Sequence, residues 1–299
     1  MVQQTDSQIK SQKDKTSEES QDENYTRVEW LICKDPVHIG GADSSSRGNN
    51  NPIFRLSDRT PAIPGSSLRG ALREHAENSK QCEYPVKYWF GGKDHDISTG
   101  HIALGWGWPV WWPVHVLGYG TWWVSCLSWL NRFLQVSGKD LIEDLKSNEI
   151  YVTDESLENE TVYLRWLKLN NVQKCNPQIL PAPPEVKENR RIIVPDEYIN
   201  LLVDMGLVRQ PRVNLKSQAE LDAQESDDDS DNDSDNDKNT GVKNLFSVEG
   251  LPPGAVFMIS WTTRGTVDNI ESWPKFLRQE HYLGGLWSIG YGRINIQES

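Results

Sequence analysis

The chain lacks several features that would have placed it quickly. Only four cysteines occur in 299 residues, Cys33, Cys82, Cys126 and Cys175, and no two have C-x-x-C spacing. That excludes a compact zinc knuckle and argues against a disulfide framework, which belongs to small secreted chains. A metal site would have to be gathered from distant residues, such as Cys82 with His75, and buried free thiols fit the scatter better. No apolar run approaches the roughly 20 residues needed to span a bilayer. The N-terminus is too polar for a secretory leader, so a cytoplasmic protein with no membrane partner is expected. No Gly-Lys-Ser/Thr phosphate loop is present, and the one glycine-rich stretch near the C-terminus is not followed by a helical pattern, which excludes a dinucleotide fingerprint.

An excess of basic charge is also missing, and the formal net charge is −12. Two segments produce it. Residues 219–237 hold ten acids and no Lys or Arg, and residues 1–24 hold six acids and three lysines. Without them the body is nearly neutral, so global charge does not argue against nucleic acid, and local basic clusters decide. Both segments are poor in apolar residues and are expected to be disordered, the first as a polar tail and the second within an acidic insertion over 218–240. Asp-x-Asp spacing in the insertion lacks the glycine and terminal glutamate of an EF-hand loop.

What is abundant is tryptophan, 13 residues, many within 106–130. No basic residue stands between those of 106–123, so they are expected in strands and core rather than as base-stacking platforms. Alternation predicts strands over 27–33, 101–104, 162–169, 208–215, 242–248, 255–261 and 294–296. Helical spacing predicts helices over 125–134, 195–205 and 268–279, with a charged helix and turn over 137–160. Residues 177–184 are a proline-rich connector. The strands at 208–215 and 242–248 bracket the acidic insertion and read as a hairpin with a lengthened tip.

One stretch carries a chemical signal: Pro61-Ala-Ile-Pro-Gly-Ser-Ser-Leu-Arg-Gly-Ala-Leu-Arg73. Two prolines hold the chain extended, Gly65 permits a tight turn, and Ser66 or Ser67 can cap the helix that follows to about Asn78. Leu68, Ala71 and Leu72 share one face, and Arg69 and Arg73 share another. Free N–H groups, hydroxyls and two guanidiniums at a helix start form a phosphate cradle, or simply an ordinary capped surface helix.

The set Pro36-Val-His-Ile-Gly-Gly41, Ile63-Pro-Gly-Ser-Ser-Leu-Arg-Gly-Ala-Leu-Arg73 and Gly284-Gly-Leu-Trp-Ser-Ile-Gly-Tyr-Gly-Arg293 resembles the RAMP superfamily, RNA-binding subunits of CRISPR effector complexes. Trp112-Pro-Val-His-Val116, Trp122-Trp-Val-Ser-Cys-Leu127, Val208-Arg-Gln-Pro-Arg-Val-Asn-Leu215 and Asn244-Leu-Phe-Ser-Val-Glu249 are similar to the repeating backbone subunit of type III complexes, nearest the Cmr (type III-B) version, with a type III-D or Csm-like variant open. The likeness runs over about 26–297.

The resemblance implies an α+β fold: an RRM-like, ferredoxin-type palm over 25–297, with a projecting β-hairpin thumb at about 208–248 and inserted helical and loop subdomains. It implies that RNA lies on a sheet face and helix ends. It also implies partners: a guide crRNA, a target RNA and other effector subunits in a hetero-oligomeric antiviral complex. Gly40, Gly41, Gly65, Ser66, Ser67, Arg69, Arg73, Gly284, Gly285 and Arg293 would grip the guide, and Arg209, Arg212, Lys216 and Lys243 would line the thumb. Family members that cut target RNA carry an aspartate where this chain has Asn50, and an amide cannot serve as a general base. Either the subunit is catalytically silent, or Asp43 or Asp58 supplies the carboxylate with Mg2+ or another divalent ion. No tightly bound cofactor is expected otherwise. His38 touches the RNA or makes a structural loop bond. Outside the family, a monomeric RNA-binding or scaffold protein with an acidic lure for basic partners is the remaining reading.

Overall fold

The computed structural model describes residues 26–40, 50–79, 85–92, 98–215, 242–264 and 272–299. The polar tail, Gly41, Asp43, Cys82, Lys216 and the acidic insertion lie outside these residues, and Asn50 and Lys243 are described in backbone only.

The palm is built on β1 (Arg27–Cys33) at the middle of a sheet. After β1 come β2 (Asn50–Asn51), α1 (Gly65–Asn78) and α2 (Val86–Phe90), then β3 (Ile102–Leu104) and β4 (Trp108–Val116). Much later come β13 (Val256–Thr263), α5 (Ser272–Leu277), β14 (Glu280–Tyr282) and β15 (Arg293–Glu298). β1 pairs antiparallel with both β13 and β15, and β13 pairs antiparallel with β3 and β4. The spatial order β15-β1-β13-β4, with α1 and α5 as the crossovers, is the fourth-first-third-second order of a ferredoxin-type βαββαβ unit.

Everything between β4 and β13 is inserted into that unit. β5 (Gly120–Ser125), α3 (Leu127–Val136), β6 (Ile150–Val152), β7 (Val162–Leu164), β8 (Leu167–Leu169), β9 (Val172–Lys174) and β10 (Arg191–Ile193) extend the sheet sideways through β4. α4 (Asp196–Gly206) then leads into β11 (Val208–Leu215) and β12 (Val242–Gly250). These two pair antiparallel from Val208↔Gly250 to Leu215↔Val242, and β2 adds in parallel to β12. Pro211 is tolerated because β11 is the edge of this small sheet.

Strand alternation sends β1 side chains to two cores. Leu31 and Cys33 pack with α1, Phe257, Ile259 and Phe276. Val28, Trp30 and Ile32 pack with Leu130, Phe133, Val256 and Met258. Trp30 stacks on Phe133 with centroids 4.1 Å apart. Both faces of the palm are therefore covered, one by α1 and α5 and the other by α3. Of the tryptophans of 106–130, Trp111, Trp112 and Trp122 in strands and Trp129 in α3 are buried, whereas Trp106 is exposed.

Other expectations also change. No α-helix forms over 137–160, only a single 3-10 turn at Glu155–Leu157. Gly138, at φ +66°, ends α3, and local N–H groups are taken by side chains instead, Ile142 by Asn131 Oδ1 and Lys146 by the Tyr151 hydroxyl. The strand over 162–169 is two strands with a tight turn at Arg165-Trp166. The expected helix over 268–279 is described only as Ser272–Leu277. At α1 the N-cap is Pro64, with no side-chain cap bond. The fixed φ of Pro64 starts the helix one residue ahead of Ser66, whose hydroxyl is then inside the first turn. The connector at 177–184 is held from outside: buried Arg191 donates to the carbonyls of Pro177, Leu180 and Val186.

Candidate nucleic-acid interface

Three segments distant in sequence meet at one place. The first is the extended strut at 36–40, which leaves β1. Val37 exchanges backbone bonds with Leu251, just past β12. His38 accepts at its carbonyl from Gly285 N–H at 3.0 Å. Gly40 bridges to Ile53, where the chain returns from the 41–49 loop.

The second segment is the glycine loop from Leu283 to Gly292. Leu283 N–H donates to Gly292 O, and Gly292 N–H donates to Pro36 O. A Cβ on Gly284 would lie 2.1 Å from His38 O, at φ +82°, so only glycine lets the loop sit against the strut. Arg293 closes the loop through a two-bond contact with Asp35 at 2.9 and 3.2 Å, and its guanidinium titrates above its usual range for that reason.

The third is the base of the hairpin. Glu249 is its hub: Oε1 accepts from Arg209 at 3.3 Å, Oε2 accepts from Ile53 N–H at 3.4 Å, and its carbonyl accepts from His38 Nδ1–H at 2.7 Å. The Tyr291 hydroxyl in the glycine loop donates to Gln210 Oε1 at 3.0 Å, tying the second segment to the third.

His38 thus makes a structural bond. With Nδ1 donating, its Nε2 is the remaining nitrogen, and it faces the open side of Gly40. Arg212 lies over the Phe246 ring across the hairpin. Asp58 is elsewhere: its Oδ1 accepts from Thr60 N–H at 2.9 Å and its carbonyl accepts from Asn200 of α4. That carboxylate caps its own turn. Among the described residues, no group of three or more His, Cys, Asp or Glu is placed to hold a metal ion, so no catalytic step is derived through one.

The central motif lies on α1. Gly65 packs against the carbonyls of Leu104 and Gly105, which a Cβ would approach to 3.2 and 3.1 Å. Ser66, Arg69 and Gly70 are exposed. Arg69 reaches the Phe90 carbonyl at the end of α2, while Arg73 is largely covered and pairs with Glu77 at 2.8 Å. The two arginines that look equivalent by spacing are therefore not. The far end of α1 is pinned by His75, whose Nδ1 lies 2.6 Å from Nδ1 of buried His281 in β14.

Sequence reasoning missed Glu249 as the hub, and it missed Arg55, Arg59, Arg165 and Trp166, which gather around a cleft beside it. The Arg-Trp dipeptide within an otherwise alternating stretch was the one available signal.

A ferredoxin-type palm bearing a long hairpin, with a glycine loop locked to a strut at the hairpin's base, defines an α+β protein of the ferredoxin-like class. The RAMP superfamily model matches residues 30–295, and the chain belongs to that superfamily. Among solved structures it is similar to a chain of the type III-B Cmr-beta bound to cognate target RNA, at TM-score 0.69 and 16% identity, covering 91% of this chain and 96% of that one. It is also similar to Cmr4 (Cas7) of Pyrococcus furiosus, at TM-score 0.60 and 18% identity, covering 92% and 100%. No curated protein matches it. Among the described residues no helix is long and apolar enough to cross a membrane.

Proposed function

We propose that this chain is a backbone subunit of a type III CRISPR effector complex, where it holds the guide crRNA and positions target RNA for antiviral defence. The observation that carries this reading is the meeting of strut, glycine loop and hairpin base at His38 and Glu249, in a chain of the RAMP superfamily. It places exposed backbone and arginines around one junction at the root of a projecting hairpin, which suits gripping a strand and wedging its partner. The similar Cmr-beta chain comes from a complex with target RNA, and another similar structure is described as oligomeric Cmr4. The domain spans about 25–297 with its thumb over about 208–248, its neighbours are other effector subunits, and it works in the cytoplasm without a tightly bound cofactor.

The subunit is silent in cleavage, because the aspartate's place is Asn50. The test is cleavage of guide-complementary RNA by the assembled complex with Mg2+. A new cut opposite this subunit in Asn50→Asp, with none in the natural chain, is the expected outcome. A natural cut that disappears in Asp43→Ala or Asp58→Ala would replace silence with a divalent-dependent ribonuclease.

A further inference from the structure

Beside the junction lies a cleft of about 880 Å3 that none of the expected RNA contacts occupies apart from Arg209. It is lined by the returning segment at 52–57, by Leu201, Asp204 and Met205 of α4, and by Arg165 and Trp166 of the β7–β8 turn. Four guanidiniums face it, from Arg55, Arg59, Arg165 and Arg209, against the carboxylates of Asp204 and Glu249. Asp204 is shared between Arg55 and Arg59, and Glu249 already holds Arg209 and the Ile53 N–H. Arg165 enters no ion pair among the described residues. The cleft therefore keeps an excess of about two positive charges.

Trp166 stands on its rim and is 68% exposed, in a protein that buries most of its tryptophans. It occupies the second position of a two-residue hairpin turn, after Arg165 at φ +54°. Such turns favour glycine or asparagine at positive φ. Arg59, on the opposite side, also has positive φ, at +69°. Holding a long side chain there costs of order 1 kcal/mol, and such outliers gather where a ligand needs the side chain placed.

We propose that this cleft takes an unpaired nucleotide of the bound RNA, its base stacked on Trp166 and its phosphate held between Arg165 and Arg59. The inference rests on the RNA-binding reading above. A base fits because every base offers a π-face to an exposed indole, and the cleft has room for more than one nucleotide. The spare charge suits a phosphate, and guanidiniums at two turn tips can close on it from both sides.

The test is a titration of the full chain with fluorescent single-stranded RNA and with the matching RNA duplex. The variants are Trp166→Ala, Trp166→Phe, Arg165→Ala and, as a contact outside the cleft, Arg212→Ala. Trp166→Ala should weaken single-strand binding about tenfold, with Trp166→Phe retaining most of it. Arg165→Ala should lower the slope of log K against log salt by about 0.7. Duplex binding should respond less to Trp166. In the assembled complex, 4-thiouridine in the RNA should crosslink to the peptide containing Trp166. Natural chain that binds RNA, with Trp166→Ala and Arg165→Ala unchanged and Arg212→Ala weakened, overturns the cleft and leaves the RNA reading standing. Natural chain that binds no RNA overturns both. An Asp/Glu-rich peptide that binds through Trp166 where RNA does not would make the occupant a protein, and the proposal wrong.

Discussion

His281 offers the sharpest handle on how the palm holds its site. Its ring is 1% exposed, between α5 and the end of α1. Nε2–H donates to the carbonyls of Phe276 and Leu277 at 3.0 and 3.2 Å, which fixes Nδ1 as an acceptor. The partner at 2.6 Å is His75 Nδ1, so His75 must donate. A proton on His281 Nδ1 would have to displace the one that His75 donates, and would put a charge in a desolvated site. Burial, then the neighbouring His75, hold its pKa down to about 4 from an ordinary 6.5. Burial lowers His75 as well. The folded state therefore keeps His281 neutral while the unfolded chain takes up a proton below 6.5. The stabilisation is whole above 6.5 and is lost as pH falls towards 4, at about 1.4 kcal/mol per unit and about 3 kcal/mol in all. Urea unfolding between pH 4 and 8, natural chain against His281→Gln, measures it. The natural chain's advantage should shrink steadily below 6.5 and vanish or reverse near 4. Parallel curves for the two proteins would refute the tautomer argument. Because the pair joins α1 to β14, RNA retention should weaken over the same range.

Gly284→Ala should cost about 2–4 kcal/mol, read as a fall in thermal midpoint, since its Cβ meets His38 O at positive φ, whereas Gly285→Ala, whose Cβ meets nothing within 4 Å, should be nearly neutral. Arg191→Met should cost about 3 kcal/mol in urea, because the carbonyls of Pro177 and Leu180 in the proline-rich connector and of Val186 just past it lose their donor, and Arg191→Lys should not restore it. Arg69→Ala should flatten the salt dependence of RNA binding by a slope of about 0.7 with little change in stability, and Arg73→Ala should do the reverse, because its guanidinium is covered and paired with Glu77.

What could be read from sequence is what depends on short periods. β1, α1, α4 and the two hairpin strands each show their faces within ten residues or so, and the glycine loop declares itself because Gly284, Gly290 and Gly292 take positive φ. β6, β9 and β10 are three residues each and have no such pattern. They exist because β10 meets β5 in parallel and β6 meets β10 and β9, partners supplied by the fold. The site divides the same way. His38, Gly284 and Arg209 stand in motifs, but Glu249 becomes a hub only when a strut 211 residues away reaches its carbonyl. The serines of the central motif do not cap α1, although their hydroxyls could, because the helix already begins behind Pro64.

The same logic governs position 50. The described chain leaves off at Gly40, beside His38, and resumes at Asn50-Asn51. Those two residues pair in parallel with Ser247 and Val248 of β12. Residue 50 is thus placed by a backbone ladder on the hairpin, whatever its side chain. An aspartate put there would enter through a backbone position already set at the hairpin root. That makes Asn50→Asp a test of chemistry more than of folding. A variant that assembles and binds RNA as the natural chain does, yet makes no cut, would show that a carboxylate at this position is insufficient.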